Sequence, residues 1–131
     1  FQAGLLNIGG FLAARTFVSH VTGYATLFGV ELGQGEYVHA FSLLLVPSAF
    51  FVGAMVSGVL IDLRLKLKKK PRYYVVFGVL FLLLLFVDVA GFNGFFGEFG
   101  KTVDVSRDYT LLIFLCLICG LQNGTITLVS K

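Results

Sequence analysis

A chain of 131 residues that is 57% hydrophobic and 13% charged carries only about half of the roughly 25% charge usual in soluble domains. A water-soluble fold this short has too little interior for so much apolar surface, so composition excludes a soluble globular domain and leaves an all-α integral membrane protein with lipid as its solvent. The net charge of +3 says less than its placement, because six of the ten basic residues fall between Arg64 and Arg72.

Residues 1–33 form the first apolar region, and it is interrupted. Residues 1–14 are apolar and Gly-rich, Arg15 to Gly23 are polar and β-branched, and Tyr24 to Leu32 turn apolar again. One continuous helix over this stretch would be ~50 Å long, too long for one perpendicular crossing. The sequence therefore predicts a helix broken near Ser19–Gly23. Irregular backbone at membrane depth persists only where protein or a wet cavity satisfies its polar groups. Phe1-Gln2-Ala3-Gly4 already reads as helix interior, so the opening turns of this span are expected to precede Phe1.

Three further stretches each supply the ~20 apolar residues that a bilayer core of ~30 Å requires. They are Phe41–Leu63, Tyr73–Phe92 and Tyr109–Val129, which gives about four transmembrane helices in all. Ala49, Gly53 and Ser57 form a stripe of small residues at four-residue spacing that admits a close neighbour helix. The basic run 64–72 lies between two spans. Nucleic-acid contact is the other use of such a run, but this position favours a cytoplasmic loop under the positive-inside rule and no nucleic-acid partner. Spans 41–63, 73–92 and 109–129 then run inward, outward and inward. The loop 97–108, with Glu98, Lys101, Asp104, Arg107 and Asp108 of mixed sign, faces outward. The Gly- and Phe-rich stretch 91–100 reads as an interfacial segment.

One motif occurs twice. Gly4-Leu5-Leu6-Asn7 returns as Gly120-Leu121-Gln122-Asn123, and the same alignment sets Arg15 on Lys131. The chain then reads as a single membrane domain over 1–131. Residues 1–96 are a first three-helix repeat, and 109–131 are the opening helix of a second, truncated one. Three crossings per half is an odd number, so the halves are inverted, as in many secondary transporters.

Gly4-x-x-Asn7-x-x-Gly10-Phe11, then Phe17-Val18-Ser19-His20-Val21-Thr22-Gly23, then Gly120-Leu121-Gln122-Asn123 resemble the YoaK-like family of bacterial multi-pass membrane proteins. The resemblance implies six helices in two related halves and a place in the bacterial inner membrane. It implies no substrate. The family pattern continues past the second motif to a Thr-His-x-Thr-Gly block that does not follow here. Many relatives carry Asp where this chain has Asn7, so a proton-carrying role there is not transferred.

Six polar residues are candidates for a substrate site: Asn7, Arg15, Ser19, His20, Thr22 and Asn123. The His20 imidazole can bind a proton, metal or anion, and ionisable groups at membrane depth are functional candidates; the plainer role is bonding the carbonyls of a broken helix. Arg15 suits two-pronged binding of carboxylate or phosphate, or it snorkels to a headgroup. Asn7 and Asn123 serve as interhelical glue or line a site near the repeat axis. Asp88 is a candidate intramembrane acid, since an ionised Asp at a helix centre costs ~2.5–3.5 kcal/mol. Arg15, His20, protonation or water would offset that cost, unless the helix ends earlier.

Cys116-x-x-Cys119 lies in mid-span without further ligands, which fits small apolar packing better than a redox or metal site. Adjacent Ser19 and His20 would point ~100° apart on a helix and cannot pair as nucleophile and base. No enzyme, metal or cofactor motif is present. The expected function is therefore a small-solute transporter or channel-like protein. The alternative is a non-catalytic accessory subunit of a larger membrane complex, with the lipid bilayer and a homodimer or larger assembly as partners.

Overall fold

The computed structural model describes residues 2–97 and 106–129, with side chains over 4–97 and 109–128. Glu98, Lys101, Asp104, Arg107, Asp108 and Lys131 fall outside the side chains described. Among the described residues all regular structure is helical: α1 (Gln2–Ala14), α2 (Val21–Gln34), α3 (Tyr37–Lys66), α4 (Tyr73–Phe92) and α5 (Ser106–Val129). In α3, α4 and the Tyr109–Leu128 part of α5 the helix is long and apolar enough to cross a membrane. These are the three uninterrupted spans read from the sequence, with α3 extended by about a turn at each end.

The centre of the molecule is the α3–α5 pair. The two helices run in the same direction, since Phe50 lies against Gly120 and Ser57 against Thr125 further along. Small residues make the approach possible. A Cβ on Gly53 would collide with the Leu117 carbonyl oxygen, and one on Gly120 with that of Phe50. Gly124 sits where a Cβ would lie 2.9 Å from that of Ser57. Close backbone approach of this kind is the main source of helix association in lipid, where burial of apolar side chains gains little. The buried hydroxyls of Ser57 and Thr125 meet at 2.9 Å, and Thr125 also donates to the Leu121 carbonyl at 2.7 Å.

The remaining helices pack around this pair. Val76 and Leu80 of α4 join Ile61 of α3 and Ile118 and Leu121 of α5 in one apolar cluster. α3 ends with a Lys66–Asp62 ion pair of 2.8 Å one turn apart. In the basic loop that follows, the Arg64 guanidinium bonds the Lys70 carbonyl at 3.2 Å. α2 ends at Gly35, whose φ of +83° suits glycine. The Glu36 N–H returns to the Glu31 carbonyl at 3.0 Å, a C-terminal cap that turns the chain back along α3. Phe28 and Phe41 meet edge to face across that turn, 6.2 Å apart.

The first region departs from expectation. The helix is broken, into two short pieces, but not at the expected residues. The interruption is Arg15–His20, so it starts four residues before Ser19, and Thr22 and Gly23 already belong to α2. α1 runs opposite to α5: Leu6 packs near Ile118 and Leu121, and Gly10 lies against Leu115. The chain then doubles back, because Ser19 reaches Asn7, about two turns before the end of α1. α2 sets out again in the sense of α1, with Tyr24 in the core beside Ala49, Cys116 and Cys119.

Candidate functional site

The reversal after α1 is built from a few specific residues. Arg15 closes the helix by donating its N–H to the Phe11 carbonyl at 2.8 Å and takes φ +55°, a left-handed conformation costly for a side chain with a Cβ. Gly10 has no side chain at the point where Val18 folds onto α1; a Cβ there would collide with Val18 Cγ2. Phe11 and Phe17 stack with centroids 4.6 Å apart.

Three side chains then satisfy the irregular backbone. Asn7 Oδ1 accepts the Ser19 N–H at 3.1 Å. The Cys116 thiol donates to the Val18 carbonyl at 3.0 Å, and the Tyr24 hydroxyl donates to the Phe17 carbonyl at 3.4 Å. Backbone groups outside a helix need such partners wherever water is scarce.

Beside this reversal lies an open recess of about 540 Å³ whose polar lining is Arg15, Thr16, His20, Tyr24 and Thr26. The His20 ring tilts against Phe17 at 5.3 Å. A guanidinium, an imidazole and hydroxyls around one recess can bind a small polar or anionic solute.

The six candidates divide. Arg15 and His20 share the recess, while Asn7 and Ser19 are joined to each other in the adjacent backbone clamp. Thr22 is exposed on α2, and its carbonyl accepts the Thr26 hydroxyl at 3.3 Å. Asn123 is exposed on α5, and its carbonyl accepts the Thr127 hydroxyl at 2.8 Å. Neither lines the recess.

Asp88 lies elsewhere. α4 continues through it to Phe92, so the helix does not end early. It is exposed and borders a separate open cavity between α1, α4 and α5, lined on α1 by Leu5, Leu6, Gly9, Gly10 and Ala13. The Arg15–His20 recess is on the other side of α1, at Phe11, so neither Arg15 nor His20 lines the Asp88 cavity.

Cys116 and Cys119 are free and buried in the core. Phe96, from the Gly- and Phe-rich stretch, is also buried and meets Phe114; residues 98–100 fall outside those described. Sequence reasoning passed over Thr16, Tyr24 and Thr26 in the recess. It also passed over Gln122, which is 5% exposed with Oε1 unpartnered among the described residues. An amide in an apolar span was the signal available for Gln122.

Over residues 1–131 the chain matches the family described as "Protein of unknown function (DUF1275)", and it belongs to that family. No curated protein and no solved structure matches it.

Proposed function

We propose that this chain is part of a multi-pass membrane protein that passes a small solute at the reversal between α1 and α2. The observation that carries this reading is the fold-back itself: backbone pinned by Asn7, Tyr24 and Cys116 beside a recess lined by Arg15 and His20. Interrupted helices that line a cavity are the usual binding elements of secondary transporters. His20 is the proton- or anion-binding group, and Arg15 supplies a guanidinium beside it. Asn7 and Ser19 hold the backbone in place.

The inverted-repeat reading is supported by the opposite directions of α1 and α5, the helices that carry the Gly-Leu-x-Asn motif. The YoaK-like resemblance suggests the bacterial inner membrane. The basic loop 64–72 suggests a cytoplasmic face there, which sets the recess toward the outer side.

The test is swelling of proteoliposomes in isotonic acetate, phosphate and glycerol, followed by light scattering. Wild-type vesicles are expected to swell faster than protein-free vesicles in at least one solute, and His20→Ala is expected to abolish that difference. Equal swelling of wild-type, variant and protein-free vesicles overturns the reading.

A further inference from the structure

The second cavity differs in chemistry from the recess. It is an open groove of about 570 Å³ between α1, α4 and α5, with Asp88 exposed along it, within the ~300–1,000 Å³ of small-molecule sites. Leu6 on α1, Leu84 on α4, and Leu111 and Leu115 on α5 are typical of its walls, and Asp88 is the single polar side chain in its lining. Among the described residues no hydrogen bond or ion pair engages the Asp88 carboxylate. Gly9 and Gly91 widen the space, and a Cβ built on Gly9 meets nothing within 4 Å.

We propose that this cavity is a binding site for a lipophilic organic monocation, with Asp88 as its counter-ion. The lining has no donor for an anion and no hydroxyl or amide for a sugar. A metal cation is equally ill served. Calcium takes about six to eight oxygen ligands and magnesium demands octahedral oxygen coordination, whereas the lining offers one carboxylate. A bulky, weakly hydrated cation needs none of these. Its apolar body contacts Leu and Val side chains, and its charge meets the carboxylate. One negative charge in an apolar cavity also selects for a single positive charge.

The probes are tetraphenylphosphonium and tetraphenylborate, which share shape and apolar surface but carry opposite charge. Binding of each to the purified protein in detergent is measured by equilibrium dialysis. Wild type is expected to bind the cation in preference to the anion. Asp88→Glu is expected to keep that preference, and Asp88→Asn to weaken cation binding by about tenfold or more, through loss of one charge-paired contact. Gly9→Leu, which fills the cavity without touching the acid, is expected to weaken it as well and serves as the second variant should Asp88→Asn not fold. His20→Ala is expected to leave binding unchanged, because its recess lies across α1. No cation binding, equal binding of the two ions, or undiminished binding in folded Asp88→Asn or Gly9→Leu overturns the proposal.

Discussion

Asn7 Oδ1 accepts the backbone N–H of Ser19 at 3.1 Å, twelve residues along the chain. This bond ties the returning segment to the helix it has just left. Asn7→Leu removes the acceptor and is expected to destabilise the reversal by about 1 kcal/mol, the usual net worth of one hydrogen bond. Asn7→Asp keeps an acceptor oxygen and is expected to retain the fold-back. Amide hydrogen exchange at Ser19 checks both: it should accelerate in Asn7→Leu, with α4 amides unaffected.

Gly10 and Val18 form the second tie. Val18 occupies the space that a side chain at position 10 would need. Gly10→Val should therefore displace the 15–20 segment and cost about 1–3 kcal/mol through overpacking. Val18→Ala should relieve part of that cost. A double-mutant cycle read by thermal unfolding in detergent is expected to give a coupling of at least about 0.5 kcal/mol, as for residues in contact.

These ties explain what the sequence could and could not reveal. α4 was legible because Leu82 to Leu85 sit in an apolar run with no competing signal. The stripe Ala49, Gly53, Ser57 was legible as a close-approach face because four-residue spacing marks one side of a helix. Cys116, Gly120 and Gly124 carry the same spacing on α5, but spacing does not say that the two stripes meet. The polar block around His20 marked an interruption and misplaced its start. Arg15 is an ordinary helix former, and contacts to Phe17, Val18 and Ser19 compensate its left-handed turn. The fold-back depends on partners such as Cys116, 98 residues from Val18, which local pattern does not encode. For the same reason Asp88 could not be separated from Arg15 and His20 until α1 was seen to stand between them.

Ser57 and Thr125 share a buried hydroxyl pair, yet most of the α3–α5 association is expected to come from the glycines. Thr125 keeps its bond to the Leu121 carbonyl when Ser57 is lost, so Ser57→Ala should cost about 0.6 kcal/mol, the average for interhelical hydrogen bonds in lipid. Gly120→Val places a side chain against the Phe50 carbonyl, and backbone cannot move aside without parting the helices. It should cost more than Ser57→Ala by at least about 1 kcal/mol. Unfolding midpoints of the two variants in the same detergent order the effects.

The proposed orientation rests on the cations of 64–72 and can be tested without knowing any solute. Lys69 is exposed beyond the end of α3, while Cys116 and Cys119 are buried and should contribute little background labelling. Lys69→Cys in sealed, right-side-out vesicles is therefore expected to resist a membrane-impermeant maleimide and to react once the vesicles are inverted or permeabilised. The five other basic residues of the run remain, so the substitution should not itself reverse the topology. Because α3 ends at this loop and α1 runs against α3 and α5, the same result sets the Arg15 end of α1 and the late α4 position of Asp88 in the outer half of the bilayer. Labelling from outside would turn every helix over and move both sites to the cytoplasmic half.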